Sequence, residues 1–379
     1  MKTAGIICEY NPFHNGHKYH IEKTKEFTDR IVCIMSGNFV QRGGVAMCDK
    51  FSRAKAAVVS GADLVIELPA VFASRSAEFF AYGAVSILNA AGIINCLSFG
   101  SEDMNIPDFS ETDSFKELLS IKLKEGLSFP KARAEAAFES EGVVLPSKPN
   151  DILGFEYKKA INKLNSKIEI IPVKRMFQEY HSTVPEGKFA SATYIRENPE
   201  DLKQYVPHSV YNILKNADFS DFSTYETMVL SHLRTIHPNV LAETADCSEG
   251  LENRIISEAI KCSGDYELIE NIKTKRYTSG RIERIIANSL LGIKNKGYEP
   301  EYIRVLALNN TGKELLKEIK SKSTLPVITN LSKQQIDSEA LDIDIKAGNL
   351  FSLTTKNKSG GMDFVKSPAV INQDTLEYN

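Results

Sequence analysis

Nine consecutive residues near the N-terminus, Glu9-Tyr10-Asn11-Pro12-Phe13-His14-Asn15-Gly16-His17, carry the densest chemistry of the chain. Two histidines three apart around a turn can aim ring N–H donors at phosphate oxygens without adding a permanent full charge. Such donors matter more as charge builds on those oxygens during transfer. Pro12 and Gly16 shape a tight turn, and Gly16 lets a ligand phosphate approach the backbone with no Cβ in the way. The N–H groups and dipole of a following helix favour an anion at the same place. Together these features point to a nucleotide polyphosphate handled by His14 and His17.

A metal is the competing use of these rings, because His14, His17 and His20 are three of the chain's seven histidines. Glu9 and Glu22 stand nearby, but at no spacing that completes a fixed ligand set. No protein metal site is therefore expected. A purely structural turn is the other reading to be tested.

Downstream, Ser191-Ala192-Thr193-Tyr194-Ile195-Arg196 puts hydroxyls at the start of a helix and an arginine one turn later. Ser191 or Thr193 can cap that helix. Its first-turn N–H groups and Arg196 can then grip the oxygens of a leaving pyrophosphate. Alone, the pattern reads equally well as an ordinary helix cap. In this chain order behind the first motif it gains weight.

These residues need elements to position them. Apolar runs at 3–8, 30–35, 64–68 and 94–99 read as buried strands. They are continuous rather than alternating, which suits parallel strands covered on both faces. Helical period fills 18–27, 50–60 and 77–90, with Gly61 and Gly92 where C-terminal caps belong. Strand and helix in alternation require right-handed crossovers. The expected fold is α/β, a Rossmann-like doubly wound parallel sheet that binds ligand at its carboxyl edge. The histidine bend follows the first strand and so lies at that edge.

Further along, helices are expected at 112–142 and 150–164, a strand at 168–173 and a loop at 175–189. Beyond about residue 200 the texture becomes helical, at 209–215, 221–236, 249–261 and 279–291, before a strand at 302–308 and a helix at 312–320. This divides the chain into a catalytic domain over 1–200, a helical domain over 201–298 and a small mixed α/β region over 299–379.

Composition narrows the class. Across 379 residues, 42% are hydrophobic and 25% charged, which is ordinary globular usage and excludes a disordered or fibrous chain. No apolar run approaches the roughly 18–20 residues that span a bilayer, and no secretory signal pattern opens the chain. A soluble cytoplasmic protein is expected. Six cysteines without a C-x-x-C pair read as reduced, mostly buried thiols. With a net charge of −3, any nucleic-acid partner must be held by a local patch. Lys273, Lys275, Arg276, Arg281 and Arg284 lie against one acid, Glu283, with Tyr277 available for stacking. They form a candidate phosphate-contacting stripe, although a solvated helix face can have the same composition. Arg42, Lys50, Arg53 and Lys55 form a second basic cluster beside the expected site.

N-P-F-H-x-G-H followed by S-x-T-x-I-R resembles the HIGH-type nucleotidylyltransferase superfamily. A longer series adds Met35 to Arg42 (MSGNFVQR), Leu64 to Pro69 (LVIELP), Phe99 to Glu102 (FGSE), Asn150 to Leu153 (NDIL) and Thr274 to Tyr277 (TKRY). It resembles the tRNA(Met) cytidine acetate ligase family over most of the chain. The resemblance implies a two-step reaction. ATP activates acetate as acetyl-adenylate with release of pyrophosphate, and the acetyl group passes to the wobble cytidine of elongator tRNA(Met), giving N4-acetylcytidine. It implies a nucleotide site over Ile7, Cys8, Glu9, Tyr10, Asn11, Pro12, Phe13, His14, Asn15, Gly16, His17, Lys18, Tyr19 and His20. Gly100, Asn150 and Arg175 are implied as further contacts.

On this reading His14, His17 and Arg196 are catalytic, with Ser191 and Thr193 beside them on the nucleotide. Lys174 and Arg175 would help neutralise phosphate oxygens. ATP is a substrate, Mg²⁺ is its expected companion, acetate and tRNA(Met) are the other partners, and no obligate protein partner is expected. Glu9 and Asp49 are candidate bases for the amine by type and location. Small nucleotidylyltransferases usually carry a glycine, an aromatic and an aspartate where Glu9-Tyr10-Asn11 stands here. A small-molecule adenylyltransferase acting on a phosphorylated cofactor precursor is the alternative, separable by which acceptor drives pyrophosphate exchange.

Overall fold

The computed structural model describes residues 1–175, 185–248, 250–275, 277–334 and 336–372. Its strands are β1 (Thr3–Cys8), β2 (Arg30–Ser36), β3 (Phe39–Val40), β4 (Gly44–Val45), β5 (Leu64–Leu68), β6 (Cys96–Ser101), β7 (Glu169–Lys174), β8 (Ile303–Leu308), β9 (Val327–Ile328) and β10 (Ala369–Val370). One sheet runs in the order β10-β8-β5-β2-β1-β6-β7 with β9 paired to β8, while β3 and β4 form a separate hairpin.

β1 is parallel to β2 on one side and to β6 on the other. β2 continues to β5 and β6 to β7, again in parallel. The chain therefore winds outward from β1 through β2 to β5, then returns past β1 to β6 and β7. That reversal opens a crevice at the carboxyl edge between β1 and β6, the place where open α/β sheets take ligands.

The central strands β1, β2 and β5 are mostly apolar because both of their faces are covered, whereas β7 at the edge is only partly buried. One face packs Ile6 of β1 with Ile21 of helix α1 (Asn15–Lys25) and with Ala54, Ala57 and Val58 of helix α2 (Lys50–Val59). The other face packs Ile7 with Phe80, Ala84 and Leu88 of the helix Ala77–Ala90. Each such Ile, Leu, Val or Phe side chain contributes about 1.5–3 kcal/mol relative to exposure. Neighbouring residues of one strand thus serve opposite faces, as the two-residue period requires.

β8 runs antiparallel against β5. The stretch 299–379, expected as a separate small region, therefore supplies an edge of the catalytic sheet. All six residues of β8 are buried, Arg304 included, so the strand is covered on both sides. Between these parts, the helices Phe222–Thr235, Leu251–Lys261, Asp265–Ile272 and Ser279–Leu291 pack through Val229, Leu233, Ile255, Leu268 and Ile285. Among the described residues no helix is long and apolar enough to cross a membrane. The six cysteines stand as free thiols.

Candidate active site

The bend after β1 is anchored from inside. Tyr10 adopts a left-handed φ of 47°, and its ring meets Phe13 edge-on at 4.7 Å. Both side chains are buried, and the Tyr10 hydroxyl lies 3.6 Å from Cys33 Sγ. Ile7, Tyr10 and Phe13, expected along the nucleotide site, therefore give their side chains to the core. Only their backbone is left for a ligand.

His14 and His17 are organised by backbone N–H groups. His14 caps α1, its Nδ1 accepting from the Gly16 N–H at 3.1 Å. The Nδ1 of His17 accepts from the His14 N–H at 3.2 Å. The two rings stack at 3.6 Å with planes 25° apart. Burial lowers the His14 pKa to about 3, with the positive charges of Arg175 and Arg196 adding to it. Burial also holds His17 well below the usual histidine range, helped by His14, Arg175 and His20. Both rings are thus neutral, and with Nδ1 acting as acceptor the proton resides on Nε2. Each ring offers one uncharged Nε2–H donor.

Gly16 is needed for a reason other than ligand access. A Cβ there would lie 2.9 Å from Cε1 of His14, so the missing side chain makes room for the imidazole.

His20 has a different task. Thr24 Oγ1 donates to the His20 carbonyl at 2.9 Å and lies 2.8 Å from Ser98 Oγ, which is 3.0 Å from His20 Nε2. Since Thr24 has one proton and spends it on the carbonyl, Ser98 must donate to Thr24. Ser98 in turn accepts from His20 Nε2–H. The His20 donor is consumed in the seam between α1 and β6, where burial lowers its pKa to about 4. Lys18 pairs with Glu22 at 3.7 Å, and Tyr19 lies beneath the Lys23 ammonium at 6.0 Å.

The second motif is joined to the first. Ser191 caps the short helix Ala192–Glu197, accepting from the Tyr194 N–H at 3.1 Å. Arg196 donates to the Asn11 carbonyl at 2.8 Å and to Thr193 Oγ1 at 3.1 Å. Asn15 Nδ2 donates to the Lys188 carbonyl at 2.7 Å. Two segments far apart in sequence are therefore tied into one wall.

Gly100, Asn150 and Arg175 meet at the end of β6. A Cβ on Gly100 would sit 3.2 Å from Cγ of Arg175. Asn150 Nδ2 donates to Glu102 Oε1 at 2.5 Å, and Arg175 Nε lies 3.9 Å from the same oxygen. Lys174 Nζ donates to the Glu102 carbonyl. Asp151 holds this turn by accepting from Ser101 Oγ and from the N–H groups of Glu102 and Asp103. Glu102 and Asp151 are functional neighbours that residue spacing did not single out, although both lie within the FGSE and NDIL segments.

Other expected groups lie elsewhere. Lys50 and Arg53 do not join an exposed basic cluster, because both are buried. Lys50 Nζ lies 2.6 Å from Glu67 and 2.7 Å from Asp363. Arg53 donates to the carbonyls of Glu9, Ser36, Gly37 and Cys48, clamping the loops behind the bend. Glu9 Oε1 accepts from the Gln41 N–H at 2.6 Å. Asp49 caps α2 and pairs with Lys366 at 3.0 Å, so neither candidate base is a free carboxylate.

The stripe beyond residue 270 divides. Lys273 and Lys275 are exposed. Arg281 instead donates to the Asp246 carbonyl and to Ser248 Oγ, and Arg284 Nε lies 3.3 Å from Asp246 Oδ2. Arg276 lies outside the described residues.

With this geometry in view, the profile of the HIGH nucleotidyl transferase family matches residues 1–363. The tRNA(Met) cytidine acetate ligase of Clostridium perfringens (strain SM101 / Type A) is 40% identical over 403 residues, covering 98% of this chain and 100% of that relative. The protein of the same name from Clostridium novyi (strain NT) is 41% identical, with 97% and 99% covered. The chain belongs to the tRNA(Met) cytidine acetate ligase family. This ligase is similar to Thermotoga maritima TmcAL in its apo form I, with a TM-score of 0.92 and 33% identity over 98% of this chain and 100% of that one. TmcAL bound with alpha-thio ATP gives a TM-score of 0.88 at 32% identity over the same shares. Among the described residues the ligase has no group of three or more His, Cys, Asp or Glu able to hold a metal ion.

Proposed function

We propose that the ligase uses ATP to activate acetate and then acetylates the exocyclic amine of the wobble cytidine in elongator tRNA(Met). The observation that carries this reading is the stacked pair of neutral imidazoles, each with its Nε2 proton unspent on the backbone. The pair stands where β1 and β6 part.

In the first step an acetate oxygen attacks the α-phosphorus. The bond to the bridging oxygen of the β-phosphate breaks and pyrophosphate leaves. Positioning and charge stabilisation dominate such a transfer. His14 and His17 donate to the phosphates through Nε2–H, while Arg175 and Arg196 supply positive charge beside them. Gly100 and Asn150 at the end of β6 suit the nucleoside half of the substrate. Mg²⁺, when bound, neutralises phosphate charge. With no metal-holding carboxylate group among the described residues, it would be held by phosphate oxygens and water, its usual preference.

In the second step the cytidine amine attacks the acetyl carbonyl carbon. The C–O bond to adenylate breaks, AMP leaves and the amine loses a proton. This chemistry belongs in the cytoplasm, where ATP and tRNA are found.

Incubation with ATP, labelled acetate and bulk tRNA, followed by digestion to nucleosides, tests the reading. Labelled N4-acetylcytidine is expected. Pyrophosphate exchange driven by a phosphorylated cofactor precursor, with acetate inert, would replace it with the adenylyltransferase alternative.

A further inference from the structure

At the carboxyl edge, on the opposite side of β1 from Gly100 and Asn150, the chain forms a one-turn helix, Met362–Val365. The inner side of this turn is fixed. Asp363 is buried and lies 2.7 Å from Lys50 Nζ and 2.8 Å from Arg304 Nη2, while both cations also face Glu67. Arg304 opens the antiparallel β8 and Glu67 nears the end of β5, which places the network at the carboxyl edge. Met362 Sδ receives Asn38 Nδ2 at 3.5 Å, in the loop that follows β2.

The outer side is unlike an ordinary surface. Phe364 is 47% and Val365 82% exposed, adjacent on a turn held rigid from beneath. Lys356 and Lys358 precede them, both exposed and without a carboxylate partner among the described residues. Ser359-Gly360-Gly361 lies between, presenting little side chain. From 353 to 372 the one acidic residue is Asp363, and it is buried. A buried ion network is a costly way to stabilise a fold, and its best-attested use is to fix geometry. Here it fixes an aromatic ring, with two exposed lysines a short way before it in the chain.

We propose that Phe364 and Val365, with Lys356 and Lys358, form the docking surface for the unpaired loop of the RNA acceptor, bases stacking on Phe364 and phosphates meeting the lysines. The inference rests on the function proposed above and adds where the acceptor lies. The nucleotide takes the β1–β6–β7 half of the edge, so the acceptor must approach over the β2–β5 half. This turn borders that half through Asn38. Exposed aromatic and basic groups together suit single-stranded nucleic acid, since every base has a stacking face and every link a charge.

The test compares the wild-type ligase with Phe364→Ala and with the double variant Lys356→Ala/Lys358→Ala. Acetate-dependent exchange of pyrophosphate into ATP, measured without RNA, should stay within about twofold in both, since neither touches the nucleotide half. Affinity for an unmodified tRNA(Met) transcript should fall about tenfold in Phe364→Ala. The logarithmic salt slope should lessen by about 1.4 in the double variant. Unchanged affinity and slope, with wild-type acetylation intact, would overturn the docking surface and leave the patch to a protein partner. Absence of acetate-driven exchange in the wild type would instead strike the underlying function.

Discussion

The imidazoles of His14 and His17 lie face to face at 3.6 Å, each with Nδ1 occupied by a backbone N–H. Neither ring can rotate to offer Nδ1 without losing its hold on the helix start. The pair is therefore preorganised as two parallel Nε2–H donors, the arrangement that stabilises charge developing on phosphate oxygens.

Replacing His17 by Ala removes one such donor and the ring against which His14 packs. Acetate-dependent pyrophosphate exchange should fall about 10²–10³-fold, the usual cost of one oxyanion donor. Binding of tRNA, followed by filter retention, should stay near the wild-type value. Full exchange in the variant would take His17 out of the reaction.

Burial sets the pH behaviour of the histidines in and beside this bend. His14 is lowered to about 3 and His20 to about 4. The unfolded chain takes up protons on these rings below about pH 6.5 while the folded chain does not. The stability they contribute is thus complete above that pH and is lost as pH falls toward the folded values. The melting temperature should drop between about pH 7 and pH 5, and drop less in His20→Gln. In contrast kcat/KM for ATP, which reports the free enzyme, should show no inflection near 6.5 that vanishes in His17→Asn.

Gly16→Ala probes the packing that aims His14. The new Cβ would stand 2.9 Å from the ring, so the imidazole must swing away from the Gly16 N–H. The strain should cost about 1–3 kcal/mol and raise KM for ATP more than it lowers the melting temperature. Steady-state kinetics beside thermal unfolding separate the two effects. A variant with unaltered KM would show that the position of His14 is not set by this packing.

The central strands and the histidine bend were legible because their signals are local. β1 and β5 fall on the residues that their apolar runs predict, and the bend is a contiguous motif. What sequence hid depends on distant partners. Lys50 and Arg53 look like a solvated flank until Glu67, Asp363 and a set of backbone carbonyls arrive from other segments. The apolar run of β8 announced a strand, but nothing local says that it pairs antiparallel with β5, some 240 residues earlier. His20 shares the spacing of its neighbours, and Ser98 alone reveals that its donor turns inward. The helix Glu339–Leu353 buries Asp344, Gly348 and Ser352 on the same face as its apolar residues and leaves Leu353 exposed, so its apolar residues alone do not trace the buried face.

Arg53→Met tests the clamp. Carbonyls of Glu9, Ser36, Gly37 and Cys48 would lose a charged donor in a buried place. Each stranded acceptor costs about 1–3 kcal/mol, so urea unfolding should show a loss of more than about 3 kcal/mol in total. Arg53→Lys should recover little, because one ammonium cannot span four carbonyls. A loss under about 1 kcal/mol would mean that water replaces the guanidinium without harm.

The basic stripe beyond residue 270 should separate in its response to mutation. Arg281 grips the Asp246 carbonyl and Ser248, and Arg284 faces the Asp246 carboxylate, which also lies 3.9 Å from the buried Arg75. Removing either arginine therefore loosens the seam between the helix Ser279–Leu291 and the turn that carries Asp246 and Ser248. Arg281→Ala should lower the melting temperature while leaving the salt slope of tRNA binding near the wild-type value. Lys273→Ala/Lys275→Ala changes exposed charges and should do the reverse, reducing the slope by about 0.7–0.9 for each phosphate that a lysine no longer neutralises. Titrations of tRNA at several salt concentrations, paired with melting curves, decide between the roles. If the lysine pair leaves the slope untouched, the stripe is a solvated helix face and the RNA must be held by other surfaces.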